Sequence, residues 1–232
     1  MPPVVDRPLF FLDYDGTLAP IVDDPEEAVP HPDVPGLLRS LNARYPLWVV
    51  TGRDLRALAS FLDQPLHAIG LHGAQEGTVG GEVKRLMPDD AVQALKQLRA
   101  SVPSMDGLKI EDKDPSFAVH YRDVEREDEA RDRLGSWLDA MPEMLDAIWG
   151  KKVVELRPEG LSKGTAVRRI AERHPEHVPV YLGDDVTDED AFRALQALDR
   201  DAVTVKVGPG DTVASHRLAD PDEVVEYLRQ YV

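Results

Sequence analysis

Two aspartates, Asp13 and Asp15, stand one residue apart at the end of the apolar run Phe10-Phe11-Leu12 and directly before Gly16. Such a run reads as a buried strand of a parallel sheet, and ligands of these sheets bind just beyond the carboxyl ends of the strands. Side chains two apart on a strand share a face, but they diverge once the chain turns. One carboxylate can then attack an electrophile while the other handles protons. A solvated Asp-Gly turn is the plain alternative. Val49-Val50-Thr51-Gly52-Arg53 repeats the build, delivering a hydroxyl from an apolar strand to a helix start, a place that phosphate oxygens favour; a Thr there also reads as a helix cap. Ser162-Lys163-Gly164 opens another helix with an ammonium able to hold a carboxylate and a phosphoryl group together, or with a lysine that is merely solvated. The segment Val180 to Glu189 runs from an apolar strand into Asp184, Asp185, Asp188 and Glu189. Self-repulsion among so many acids is relieved by a hard divalent cation bound through oxygen, with Glu189 reading as a helix N-terminal charge.

Composition narrows the partners. Lys and Arg number 27 against 43 Asp and Glu, a formal net charge of -16 that opposes nucleic acid and anionic membranes. It would also repel a phosphorylated substrate, so handling phosphate requires a bound cation and a few placed Lys or Arg residues. The absence of cysteine excludes disulfides, thiolate catalysis and cysteine-ligated zinc. Residues 1–8 do not read as a signal peptide and no apolar stretch nears 18 residues, so a soluble cytoplasmic protein is expected. The expected partner is a small molecule, with no nucleic acid or membrane, and the chain is expected to be a monomer.

The elements that must hold these residues alternate. Strand 8–13, a helix near 33–44, strand 46–51, a helix near 53–62 and strand 66–71 give α/β grammar with a parallel sheet, and Leu55, Leu58, Ala59 and Leu62 form a buried helical stripe. The middle differs. A strand at 83–86, a helix at 90–100, strands at 108–111, 116–122 and 152–157 and a helix near 126–140 read as an inserted α+β unit. Alternation resumes after Gly164 with a helix to Arg173, strand 178–182, a helix near 188–197, strand 203–207 and a last helix to Arg229. The expected division is a core at 1–80 and 157–232 interrupted by an insert at 81–156. Within the insert, period-two alternation puts Ala118, His120 and Arg122 on one face, and Lys151, Val153, Glu155 and Arg157 on one face of a second strand. Such a surface can meet sugar hydroxyls, or it can simply face solvent.

Taken together, Asp13 and Asp15, Thr51, Lys163, and Asp184 with Asp188 resemble, in order, the four motifs of the haloacid dehalogenase-like phosphohydrolases, in which phosphatases carry Asp at the position of Asp15. Segments 11–21, Gly70-Leu71-His72-Gly73-Ala74, Ser116 to Arg122, Glu155-Leu156-Arg157-Pro158 and 183–192 resemble the trehalose-6-phosphate phosphatase family across nearly the whole chain. One departure is Gln75, which stands where that family usually has Glu after His-Gly-Ala, with Glu76 next to it. The resemblance implies a Rossmann-like α/β core with an inserted α+β cap domain. It implies Mg²⁺ held by Asp13, the backbone carbonyl of Asp15, Asp184 and Asp188, and an aspartyl-phosphate formed on Asp13. Asp15 would act as acid and base, and Thr51 and Lys163 would stabilise the phosphoryl group. Gly52, Arg53, His72, Gly73, His120, Arg122, Glu155 and Arg157 are the implied substrate contacts. Phosphatases of sucrose phosphate, glucosylglycerol phosphate or mannosyl-phosphoglycerate, and a silent sugar-phosphate sensor, remain alternatives, although the intact Asp13 and Asp15 argue against the sensor.

Overall fold

The computed structural model of the chain describes residues 1–22, 24–113, 116–150 and 152–232. In chain order the elements are β1 (Pro8–Asp13), α1 (Val34–Asn42), β2 (Leu47–Val50), α2 (Leu55–Leu58), β3 (His67–Gly70), β4 (Gln75–Thr78) and β5 (Val83–Arg85). There follow α3 (Asp89–Ala100), β6 (Lys109–Lys113), β7 (Ser116–His120), α4 (Glu127–Leu138), β8 (Leu145–Gly150) and β9 (Val153–Pro158). The chain ends with α5 (Lys163–Arg173), β10 (Val178–Gly183), α6 (Val186–Gln196), β11 (Val203–Val207), β12 (His216–Leu218) and α7 (Pro221–Leu228).

Residues 1–86 and 162–232 form one compact unit and residues 87–161 another. In the first, an eight-stranded sheet has the order β12-β11-β10-β1-β2-β3-β4-β5. All pairings from β12 to β3 are parallel, while β4 and β5 add an antiparallel edge. Every residue of β1 is buried because the strand is covered on both faces. Phe10 and Leu12 pack with Leu38, Leu41, Val224 and Leu228 of α1 and α7, whereas Leu9 and Phe11 pack with Val167, Ile170, Phe192 and Leu195 of α5 and α6. The period-two alternation of a strand thus builds two cores, one on each side of the sheet, and each fully buried Phe or Leu contributes about 1.5–3 kcal/mol. Asp13 follows Phe11 by two residues, so it falls on the α5 and α6 side. The chain moves outward from β1 through β2 and β3, then returns to β10 on the other flank of β1. That reversal puts the topological switch point beyond the ends of β1 and β10.

The second unit is a four-stranded antiparallel sheet, β6-β7-β9-β8. Phe117, Val119, Val154 and Leu156 on one of its faces pack with Leu95 and Leu98 of α3 and Ala130 and Leu134 of α4.

Several boundaries differ from the sequence expectation. The first unit extends to Leu86 rather than 80, because β5 turns back at Gly80-Gly81 and pairs with β4 instead of joining the insert. The insert runs to Leu161 rather than 156, since β9 continues to Pro158 against β8. The helix expected at 53–62 is one turn long, yet Leu55, Leu58 and Leu62 are all buried as the stripe required. Strands β4, β8 and β12 were not expected. Lys151, placed on the polar face of the insert by its periodicity, lies outside the described residues. Among the described residues, no helix is long and apolar enough to cross a membrane.

Candidate active site

Asp13 ends β1, Thr51 follows β2, Lys163 is the first residue of α5 and Asp184 follows β10, so four separate segments deliver side chains to the switch point. Local sequence makes each delivery specific. Ser162 starts α5 with a reciprocal cap: its hydroxyl accepts from Thr165 N at 3.1 Å, and its own N–H donates to Thr165 Oγ1 at 3.0 Å. This fixes the first turn and with it Lys163. Asp188 closes the matching cap of α6, its Oδ2 accepting from Asp185 N at 2.9 Å. Gly16 has φ +73°, and a Cβ there would collide with the Asp184 carboxylate; only glycine gives both the turn and the close approach.

Lys163, 2% exposed, is the hub. Its Nζ donates to Asp13 Oδ1 at 2.9 Å and to Asp188 Oδ1 at 2.7 Å, and Tyr181 OH donates to the same Asp188 oxygen at 2.6 Å. Burial alone would lower the lysine's pKa, but Asp13 and Asp188 hold it above its ordinary value, so the ammonium is kept charged. Burial raises Asp13 well above the usual carboxylate range, and Asp188 adds to this against the opposing pull of Lys163. Asp184 is pushed up to about 6, first by burial and then by Asp188. One ammonium therefore does not neutralise the three acids.

Candidate ligand oxygens of Asp13, Asp184 and Asp188 lie within 4.8 Å of one another. An all-oxygen set of crowded, partly desolvated carboxylates has the chemistry of a Mg²⁺ site, and a hard cation would stabilise the charged forms that burial and then mutual repulsion disfavour in Asp13 and Asp184. Asp188, with both oxygens already accepting hydrogen bonds from the protein, has the least capacity left for a direct ligand bond.

Asp15 leaves the strand face, as the turn predicts. Its two oxygens accept from Arg53 Nε at 2.8 Å and Nη2 at 2.7 Å, a bidentate pair, and the guanidinium lies 4.8 Å from the centroid of the Phe61 ring. Arg53, expected as a substrate contact, is thus engaged with the neighbouring carboxylate. Thr51 is fully buried and its Oγ1 accepts from Arg53 N at 3.0 Å, a turn contact within the loop; the helix cap of α2 is instead Asp54, whose Oδ1 accepts from Arg56 N at 2.7 Å. The 71–73 turn docks on the same loop: Leu71 N donates to Arg53 O at 3.0 Å and His72 N to Thr51 O at 3.2 Å. Leu71 and His72 both adopt positive φ, 47° and 53°, a strained pair held by that docking. A Cβ on Gly52 would lie 2.6 Å from the His72 ring, and one on Gly73 2.6 Å from Ser162 O, so these glycines pack the loops against each other.

One contributor was not expected, and three residues singled out from the sequence take structural roles. Lys206 is buried in Val203-Thr204-Val205-Lys206-Val207 and donates to the backbone carbonyl of Asp184 and to Val207 O at 2.9 Å. A lone charge at the carboxyl end of an apolar strand was the available signal. Gln75 accepts from Leu55 N at 3.0 Å and donates to Asp54 Oδ2 at 2.7 Å, which a glutamate could not do without placing two carboxylates together. Glu76 pairs with Arg169 at 2.6 Å. Glu189, read as a helix N-terminal charge, sits in the first turn of α6 but is buried, and accepts from Val213 N at 2.9 Å.

In the second unit, Ala118 pairs with Glu155 and His120 with Val153, which confirms a shared face for His120, Glu155 and Arg157 opposite the apolar one. His120 Nε2 lies 2.8 Å from Glu111 Oε2, and Arg122, just past the end of β7, reaches His120 Nδ1 at 3.2 Å. Lys109, Glu111, His120, Arg122 and Asp123 line a hollow of about 410 Å³.

The trehalose-phosphatase family model matches residues 11–223. The trehalose-phosphate phosphatase of Mycobacterium marinum is 34% identical over 245 residues, covering 96% of this chain and 61% of its own length; the chain therefore spans less than two thirds of that relative. The structure of Aspergillus fumigatus trehalose-6-phosphate phosphatase superposes with a TM-score of 0.78 at 27% identity, covering 97% of this chain and 92% of that one. A haloacid dehalogenase-like hydrolase of B. subtilis shares the fold alone, with a TM-score of 0.65 at 15% identity over 97% of this chain and 99% of that one. The chain belongs to the trehalose-phosphatase family, phosphoric monoester hydrolases built on the haloacid dehalogenase-like fold.

Proposed function

We propose that the chain is a Mg²⁺-dependent phosphatase that hydrolyses trehalose 6-phosphate to trehalose and phosphate through a phosphoryl-aspartate. The observation that carries the reading is the buried Lys163 bridging Asp13 and Asp188 at the sheet's switch point, with Asp184 alongside. Such an array suits a phosphoryl group better than a purely structural ion pair, because it keeps more negative charge than its one ammonium can offset.

In this reading the Asp13 oxygen that Lys163 does not hold attacks phosphorus in line, forming the O–P bond as the bond to the sugar oxygen breaks. Lys163 orients the attacking carboxylate, and its ammonium together with Thr51 and the backbone at Gly52 stabilises charge on the equatorial phosphoryl oxygens. Asp15 gives a proton to the departing sugar oxygen, then takes one from the water that hydrolyses the acyl phosphate. Arg53 positions Asp15 for both transfers, and His72 and Gly73 hold the loop on which Arg53 rests. Asp13, Asp184, the carbonyl of Asp15 and, directly or through water, Asp188 would hold Mg²⁺, which when bound offsets the negative charge gathered around the phosphate. His120, Arg122, Glu155 and Arg157, on the polar face of the inserted unit, supply hydrogen bonds to sugar hydroxyls.

Phosphate release should be measured from trehalose 6-phosphate, sucrose phosphate, glucosylglycerol phosphate, mannosyl-phosphoglycerate and glucose 6-phosphate with Mg²⁺. The trehalose ester is expected to have the highest kcat/KM. Chelation by EDTA should abolish turnover and added Mg²⁺ restore it, and Asp13→Asn should be inactive while remaining folded by circular dichroism. A different preferred ester would change the substrate; full activity in EDTA or in Asp13→Asn would remove the mechanism.

A further inference from the structure

A second group of metal-type donors lies at the other end of α5, in the turn His174-Pro175-Glu176-His177. One donor atom from each of His174, Glu176 and His177 lies within 4.8 Å of the others. His177 Nδ1 is buried and faces Glu176 Oε1 at 3.0 Å, an ion pair that holds the imidazole and the carboxylate together. Two imidazoles and a carboxylate gathered this closely form a donor set of the kind that holds a divalent cation.

The backbone presenting these groups is fixed on every side. His174 N donates to Ala171 O at 3.0 Å and His177 N to His174 O at 3.1 Å, which closes the turn. Arg200 reaches in from beyond α6 and donates to His174 O at 2.8 Å and Ala171 O at 2.5 Å, covering the last carbonyls of α5. Val178 N donates to Arg7 O at 2.7 Å, where β10 enters the sheet beside β1. The rings of His174 and His177 meet edge to face with centroids 5.7 Å apart. Zn–N and Zn–O bonds of about 2.0–2.2 Å put tetrahedral donors roughly 3.3–3.5 Å apart, so side-chain rotation alone can close the set.

We propose that this turn is a site for a borderline divalent ion of the zinc class, separate from the acidic cluster at the sheet's carboxyl edge. Ligand chemistry keeps the two apart: two imidazoles and one carboxylate select Zn²⁺ or Ni²⁺, whereas the all-oxygen set selects Mg²⁺. The ion ties the residue that caps α5, His174, to the residue just before β10, His177. Those elements carry Lys163 and lead to Asp184 at their far ends, so the site braces the frame of the phosphatase machinery and takes no part in its chemistry.

The test uses the full chain, with any affinity tag removed, in saturating Mg²⁺. Zinc chloride is titrated by isothermal calorimetry and thermal unfolding is followed with and without Zn²⁺. One equivalent should bind, and zinc should raise Tm. Changing a residue that only orients a ligand costs about 10–100-fold in metal affinity, so loss of a ligand in His174→Ala or His177→Ala should weaken binding at least tenfold and abolish the Tm rise. Both variants should keep Mg²⁺-supported phosphatase activity, and Asp184→Asn should bind Zn²⁺ like the wild type. Absence of binding overturns the proposal, as does binding that survives both histidine changes or is lost in Asp184→Asn. Should either alanine variant unfold, Glu176→Gln and His177→Gln give the same reading with little change of shape.

Discussion

At the scale of residues, the two aspartates that open the chain's chemistry differ in surroundings more than in position. Asp13 is 3% exposed and pinned by an ammonium, whereas Asp15 has a side chain 41% exposed and paired to a guanidinium. Two carboxylates in such unlike environments are suited to different tasks. For Asp15→Asn, turnover of a sugar phosphate should fall by roughly 10² to 10⁴, the usual weight of general acid–base catalysis. With p-nitrophenyl phosphate, whose leaving group departs without a proton, the first step should survive and only hydrolysis of the acyl phosphate should slow. Stopped-flow absorbance should therefore show a burst of nitrophenolate of about one equivalent followed by a slow phase. Steady turnover at the wild-type rate would show that Asp15 does not transfer protons.

At the scale of elements, legibility followed burial. Strands β1, β2 and β10 are covered on both faces, so they appear in the sequence as continuous apolar runs, and the residues at their ends could be picked out by position alone. Strands β4, Gln75-Glu76-Gly77-Thr78, and β12, His216-Arg217-Leu218, have no such signal; they form because a neighbouring strand offers unpaired backbone groups. The Lys163 bridge was legible as a lysine opening a helix, but its two partners lie 150 and 25 residues away in sequence, and only the fold brings them together. Lys206 was missed because its function is to hold backbone, the carbonyls of Asp184 and Val207, and not to present a side chain to a ligand. Lys206→Met keeps the length and apolar stem of the side chain but leaves two carbonyls without a donor. Loss of buried hydrogen bonds of this kind costs about 1–3 kcal/mol. Chemical denaturation should show that loss, and the Mg²⁺ concentration for half-maximal activity should rise because the Asp184 backbone is no longer fixed. An unchanged midpoint and unchanged Mg²⁺ dependence would make Lys206 a bystander.

At the scale of the whole molecule, a chain of formal charge -16 places Lys163 and Arg53 against carboxylates in the first unit and carries Arg122 and Arg157 in the second. The proposed function gives phosphoryl transfer to one unit and sugar recognition to the other, a division that can be tested by comparing substrates of different size. Arg122→Ala and Glu155→Ala should lower kcat/KM for trehalose 6-phosphate, while p-nitrophenyl phosphate, which has no sugar hydroxyls to recognise, should be turned over at close to the wild-type rate. Binding energy from the distal sugar can be used to align the phosphoryl group, so kcat should fall together with any rise in KM. Asp13→Asn should instead abolish both activities. Partial compensation is expected for Arg122→Ala, since His120 keeps its 2.8 Å contact with Glu111, and the double change Arg122→Ala with His120→Ala should cost more than either alone. Equal losses on both substrates would mean that Arg122 and Glu155 maintain the fold or the core site, and the polar face would then have no part in choosing the sugar.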